Sequence, residues 1–267
     1  MSEAAHALVD RPLSGMLRIT INRPERLGAY TPAMCDTILA ALREARLDDE
    51  IRVVILTGIG RGFCTGGDVS PDAGFADALS HQMGRARELR EDSHAVITAI
   101  HQLEKPVICA VNGIAVNGGL AFALACDLRV VARGAKLGDT TARVGLLPDE
   151  GGAWLFPRIM GYDKAFRMVA LSEMYTAAEA LTLGLATEVV DDDQLEPRTL
   201  ELARRFVDAA PLAMRAVKFM MRRGMESTLD SALGDARQAV LWVGPSSDAQ
   251  EGKAAFLERR PPRFTGQ

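Results

Sequence analysis

Positive charge is not in excess: 31 Lys plus Arg stand against 35 Asp plus Glu, a formal net charge of −4. That removes the electrostatic footprint of a nucleic-acid binder. Cysteine is scarce and shows no paired spacing. Cys35, Cys64, Cys109 and Cys126 lie in apolar surroundings, so they read as reduced thiols of a cytoplasmic protein rather than a disulfide framework. Neither C-x-x-C nor H-E-x-x-H occurs, and no metal site is expected. G-x-G-x-x-G is missing too, which removes the dinucleotide fingerprint. The amino-terminal MSEAAHALVDRPLSG has no basic start and no apolar core, so it is not a signal peptide, and residues 1–15 are expected to form a flexible leader. The long uncharged stretch from Val107 to Ala125 is broken by Asn112, Asn117 and three glycines, which argues against a membrane span.

What is present is a 267-residue chain with 48% hydrophobic residues, enough to bury a sizeable core. Its periodicities are those of a mixed α/β protein. Leu17, Ile19 and Ile21 alternate with Arg18, Thr20 and Asn22, the period of a half-exposed strand. Thr31-Pro32 sets a capping side chain before a proline, and Met34, Ile38, Leu42 and Ala45 follow on one helical face. Ile51 to Thr57, Val107 to Val111 and Leu128 to Ala132 are short apolar runs that read as buried strands.

Two glycine pairs stand directly behind such runs. Asn117-Gly118-Gly119 opens an Ala/Leu-rich helix, and the unpaired N–H groups of a helix start collect where no Cβ blocks a ligand oxygen. That suits a developing oxyanion. In the Phe63 to Asp68 loop, Gly66-Gly67 gives a substrate carbonyl the same close access to backbone.

Together the stretches Lys105 to Asp127 and Arg61 to Asp68, about fifty residues apart at their glycines, resemble the two oxyanion-hole segments of the crotonase (enoyl-CoA hydratase/isomerase) superfamily. The resemblance runs from about residue 16 to 264. It implies an α/β fold, a crotonase-like spiral of ββα units with a C-terminal helical trimerisation region, divided as a core over 16–200 and a helical region over 201–267. It also implies an acyl-coenzyme A thioester as substrate, no separate cofactor, and a homotrimer or dimer of trimers. By the same carry-over, Gly67 and Gly118 supply the two oxyanion N–H groups, and Phe63, Thr65, Gly66 and Asp68 line the substrate loop. Asp68 reads equally as a tether for that loop. Asn22-Arg23-Pro24 resembles the family's coenzyme A-binding stretch, with Arg26 as the contact; an ordinary solvated arginine is the other reading. The family's Asn-Ala pair further on is here Gly28-Ala29, a departure at the local turn.

The family's hydratase glutamates are absent. Their places fall on Ala121 and Thr141, and neither can deprotonate water or protonate an α-carbon well. A carboxylate remains at Asp149, with Glu150 beside it and Asp139 upstream. Asp149 matches an acidic position of the dienoyl-CoA isomerase branch, which favours isomerase chemistry. It reads equally as the cap of the helix after Gly151. No G-x-S-x-G occurs, against the serine proteases of this fold. Residues 69–102 read as a lid, helical from about Leu79, with His81, His94 and His101 as solvated side chains.

Towards the carboxyl end, Tyr175 to Val190 reads as a Thr-capped helix, a Gly184 stop and a short strand; Leu195 to Val207 and Pro211 to Arg223 read as amphipathic helices. Glu251 to Phe264 resembles the family's terminal segment, so Lys253, Phe256 and Arg260 are candidates for contact with coenzyme A at a neighbouring site; helix packing and a solvated end is the rival reading. Two function classes follow: an enzyme working through an enolate, as isomerase, then hydrolase or lyase, then hydratase; and a non-catalytic coenzyme A binder that lost the acids.

Overall fold

A computed structural model describes residues 5–70 and 82–267. The expected helix start at Leu79, the turn before it and His81 lie outside the described residues.

The first sheet holds six strands in the order β1 (Ala7–Asp10), β2 (Met16–Ile21), β3 (Val53–Gly58), β5 (Val107–Val111), β7 (Leu128–Ala132) and β10 (Glu188–Val190). All pair in parallel except β1 and β2. The continuous apolar run of β5 follows from that place: a central parallel strand is covered on both faces, and all five of its residues are buried. β1 corrects the expectation of a loose leader. Its residues carry little hydrophobic pattern, but the free edge of β2 pairs Ala7 with Ile21 and Val9 with Ile19.

Helix α1 (Pro32–Leu47) begins as its sequence predicts: Thr31 Oγ1 accepts from Met34 N at 3.2 Å, Pro32 opens the first turn, and Met34, Ile38, Leu42 and Ala45 are buried.

The second sheet is what builds the site. It contains β4 (Gly62–Cys64), β6 (Ile114–Val116), β8 (Lys136–Gly138) and β9 (Met174–Thr176), in that order. Each of β3, β5 and β7 is followed within a few residues by β4, β6 and β8, so the chain steps from one sheet to the other three times. No sequence repeat marks this spiral. β4, β6 and β8 run parallel, so the segments leaving their carboxyl ends emerge side by side, the usual place for a ligand in a parallel sheet.

Helices α2 (Gln82–Glu91) and α3 (Ser93–Gln102) precede β5, and α4 (Gly118–Ala125) follows β6. Next come α5 (Gly152–Met160), α6 (Tyr162–Leu171) and α7 (Ala177–Thr182), the last entered through a capping box between Thr176 and Glu179. The chain closes with α8 (Leu195–Val207), α9 (Pro211–Gly224), α10 (Leu229–Val243) and α11 (Ser247–Glu258). α8 packs on β3, β5 and β7, so the expected boundary at residue 200 falls inside a helix that covers the first sheet.

Asp127, just past α4, meets Lys218 and Arg222 of α9 at 2.7 Å each, and Arg222 Nη2 donates to the Ala125 carbonyl at 3.1 Å. Two cations thus sit at the carboxyl end of α4, where the helix dipole favours them.

Candidate active site

The two glycine loops meet because β4 and β6 are neighbours. A Cβ placed on Gly66 would stand 3.6 Å from the Gly118 amide nitrogen, so the first loop folds over the start of α4. Tyr30 lies alongside. Its N–H donates to the Gly66 carbonyl and its carbonyl accepts from the Asp68 N–H, both at 2.9 Å. In extended backbone alternate residues turn opposite ways, so this bridge to the residues on either side leaves the Gly67 N–H facing away from Tyr30's main chain.

At the other loop, Asn117 holds φ 54° and ψ −127°, a conformation that costs a residue with a side chain about 1–3 kcal/mol. Its Oδ1 accepts from Thr140 N at 2.8 Å and Oγ1 at 3.2 Å instead of capping α4. The first N–H groups of α4 therefore have no side-chain cap, and Gly118 contributes one of them.

The first loop is tied down from beneath. Arg23 Nη1 reaches Asp68 Oδ2 at 2.7 Å and the Ala29 carbonyl at 2.8 Å, and Asp68 Oδ1 accepts from both the amide and the hydroxyl of Ser70. Burial works against the charge on Asp68, but Ser70 and Arg23 together hold it at about 2. Of the two readings of Asp68, the tether is the one its contacts fit. Gly28 settles the departure in the turn: it adopts φ +73°, and a Cβ there would collide with the Phe63 carbonyl. Phe63 buries its ring in the core, so only its backbone lies on the loop. Thr65 is half-buried.

Around these loops, Ala121 is buried in α4 with no acid to offer. The Thr141 hydroxyl donates to Asp139 Oδ1 at 2.5 Å. Asp139 is 0% exposed, and its Oδ2 has no hydrogen-bond partner among the described residues. Burial pushes its carboxyl above the ordinary value despite the bonds from Thr141, and the charge of Asp149 adds to that push. Asp149 is half-buried beside a groove of about 420 Å³ whose lining includes His94, Ile97, Trp154 and Leu155.

His94 corrects the reading of a merely solvated ring: it lies 2.6 Å from the Asp149 carbonyl. A carbonyl only accepts, so Nε2 carries the proton. His101 packs edge-on against Trp154, with ring centroids 5.4 Å apart.

Sequence reading passed over Tyr30 and the direction of Glu150. Glu150 is buried, and its Oε1 accepts from the Tyr30 hydroxyl at 2.6 Å. Burial, then the Glu150 charge, raises the Tyr30 hydroxyl well above its ordinary value, so the phenol keeps its proton. The candidate coenzyme A contacts are dispersed. Arg26 is exposed on the turn Pro24–Arg26. Lys253 and Phe256 lie on α11, Phe256 being 83% exposed, and Arg260 is bound to Glu251 and Glu258 at 2.6 Å each.

The chain is similar to known proteins over nearly its whole length. The profile described as Enoyl-CoA hydratase/isomerase matches residues 12–267. The 1,2-epoxyphenylacetyl-CoA isomerase of Escherichia coli is 35% identical over 253 residues, covering 95% of this chain and 96% of its own. The (E)-benzylidenesuccinyl-CoA hydratase of Thauera aromatica is 35% identical over 251 residues, 93% of this chain and 94% of its own. Among solved structures, an enoyl-CoA hydratase from Bacillus anthracis superposes with a TM-score of 0.92 at 30% identity, covering 98% of this chain and 100% of the other.

Proposed function

The chain belongs to the enoyl-CoA hydratase/isomerase family, and from that premise we propose an enzyme that moves a proton between carbons of an enoyl-coenzyme A thioester through an enolate. The observation that carries the reading is the uncapped start of α4 at Gly118, faced by the Gly66-Gly67 loop, in a site with no acid at Ala121 or Thr141.

The thioester oxygen accepts from the N–H groups of Gly67 and Gly118. As a proton leaves the α-carbon, negative charge builds on that oxygen, and a donor lost from such a hole costs about 2.7–4 kcal/mol. Hydration needs one group to activate water and another to protonate carbon. Thr141 has its hydroxyl committed to Asp139, which supports isomerisation over hydration. Hydrolase or lyase chemistry ranks next and classical hydration third. Asp149 is an acid–base group of this scheme, in the groove past the hole, and the scheme requires no cofactor besides the coenzyme A of the substrate. Arg26, with Lys253, Phe256 and Arg260 from a neighbouring subunit, serves the coenzyme A moiety.

Large apolar side chains exposed on and between the last helices, among them Met221, Met225, Leu229, Val240 and Leu241, support a homotrimer or dimer of trimers. Among the described residues no helix is long and apolar enough to cross a membrane, and we place the enzyme in the cytoplasm.

Incubation with 3-enoyl and 2-enoyl thioesters in deuterated water tests the reading. Interconversion with deuterium at carbon and no hydration product is the expected result. Coenzyme A binding with neither exchange nor turnover across a panel of acyl groups makes the protein a binder instead.

A further inference from the structure

The buried pair of Tyr30 and Glu150 packs against both glycines of the proposed hole. A Cβ placed on Gly118 would meet Glu150 Oε1 at 2.6 Å, the same oxygen that accepts from the Tyr30 hydroxyl. A Cβ on Gly67 would stand 3.3 Å from the Tyr30 hydroxyl oxygen. Carboxylate and phenol therefore fill the space beside the α-carbons of both oxyanion donors. Any side chain at 118 would occupy the place that Glu150 takes. Asp149, the adjacent residue, lines the groove between α3 and α5.

A thioester whose oxygen is held by Gly67 and Gly118 keeps its C2 two bonds from that oxygen, and Glu150 is the carboxylate that lies beside the α-carbon of Gly118. C4 lies two bonds further along the acyl chain, and Asp149 is the carboxylate that lines the neighbouring groove. Building on the proposed isomerase, we infer that Glu150 is the catalytic residue that exchanges the C2 proton, with Tyr30 as its positioning residue, and that Asp149 serves C4. In this assignment a carboxylate from the turn before α5 supplies what positions 121 and 141 lack.

In the direction from 3-enoyl to 2-enoyl, ionised Glu150 takes the C2 proton and the C–H electron pair enters the dienolate, whose oxygen the two N–H groups hold. Asp149, which takes up a proton from solvent for this step, then gives it to C4. The C3–C4 double-bond pair forms the new C–H bond, the C1–C2 pair becomes the C2–C3 double bond, and the carbonyl re-forms. Glu150 ends with one proton more and Asp149 with one fewer, and solvent restores both. Tyr30 donates to Oε1 throughout and fixes the carboxylate's direction.

Two variants turned over on a 3-enoyl thioester in deuterated water, with deuterium at C2 and C4 read by NMR, test the division of labour. In Glu150→Gln, whose amide oxygen still accepts from Tyr30, C2 exchange and isomerisation fall together by about 10²–10⁴-fold while KM stays within about threefold. In Asp149→Asn product formation falls more than C2 exchange, so the ratio of exchange to product rises by at least about 10²-fold. Tyr30→Phe, with coenzyme A binding intact, lowers C2 exchange by about tenfold, a loss comparable to one hydrogen bond to a charged group; it decides the role of Glu150 if Glu150→Gln does not fold. An active wild type whose Glu150→Gln and Tyr30→Phe variants exchange C2 at the wild-type rate overturns this assignment alone. A wild type silent in both exchange and turnover removes the enolate reading beneath it.

Discussion

Arg23 Nη1 stands 2.7 Å from Asp68 Oδ2, with 10% of one side chain and 6% of the other exposed, and this ion pair fastens the Gly66-Gly67 loop to the turn after β2. The pair also receives help from outside itself. Arg23 donates to the Ala29 carbonyl and Asp68 accepts twice from Ser70, so both charges have further hydrogen bonds. A buried pair of this kind is fragile to the loss of one partner.

Asp68→Ala strands the Arg23 charge and releases Ser70, and is expected to cost about 3–5 kcal/mol in urea unfolding. The pH dependence has a definite sign. The folded carboxyl sits at about 2, below its ordinary 3.8, so its contribution is complete above pH 3.8 and is lost as pH falls towards 2. Asp68→Asn should flatten the wild-type fall in melting temperature over that window; an identical acid slope would show that the pair does not carry it.

Gly118→Ala places a Cβ 2.6 Å from the Glu150 carboxylate and 3.0 Å from the Tyr30 ring. Overpacking should cost about 1–3 kcal/mol of stability, and displacing Gly118, a proposed oxyanion donor, should lower kcat by about 10²–10³-fold. Gly224→Ala is the control: nothing lies within 4 Å of its added methyl at the end of α9, and a gain of about 0.5–1 kcal/mol is expected. Steady-state kinetics beside thermal melts separate the two positions.

These predictions draw unevenly on what the sequence reveals. The alternation of β2, the Thr31-Pro32 start of α1 and the apolar β5 are local patterns, and each is an element in the fold. The glycine pairs are legible as loops open to a ligand because glycine alone offers bare backbone. Their meeting depends on β4 and β6 being neighbours, which pairs residues about fifty positions apart, and only the family resemblance anticipates it. β1 escapes notice because the edge of β2, not its own residues, draws it into the sheet. Asp149 and Glu150 are adjacent carboxylates, and composition cannot say which one turns inward. That depends on the backbone of the turn, where Gly151 holds φ +83°. Arg23 and Asp68, or Tyr30 and Glu150, are partners across 45 and 120 positions, beyond the reach of any local pattern.

Asp139 should give the opposite acid behaviour to Asp68. Its carboxyl is raised by burial and by Asp149, so as pH rises past the ordinary 3.8 the unfolded chain ionises first and stability falls. Asp139→Asn removes that fall. Its Oδ1 can still accept from Thr141, and its amide replaces the oxygen that has no hydrogen bond among the described residues. The variant is expected to be more stable at pH 7, because it carries no charge to bury, although its amide N–H groups gain no partner among the described residues either. Unfolding curves at pH 4 and pH 7 check both the gain and the lost slope.

Asp127 is the position where α9 depends on α4. Its two oxygens meet Lys218 and Arg222 at 2.7 Å, and Oδ2 also accepts from Val107 N at 2.8 Å. Lys218 is the vulnerable partner, because only 8% of its side chain is exposed and burial already lowers its pKa from the ordinary value. Asp127→Ala should therefore cost about 3–5 kcal/mol, chiefly by leaving that ammonium buried beside Arg222. A lysine whose folded pKa lies below its unfolded one binds its proton more weakly when folded, so stability rises with pH as the unfolded-state value is approached. The variant should thus regain stability more steeply than the wild type as pH rises towards the ordinary lysine value of 10.5. Adding Lys218→Met removes the stranded charge and should restore most of the loss at pH 7. If the double variant is no more stable than Asp127→Ala alone, the cost lies in the lost bond to Val107 and not in the charge.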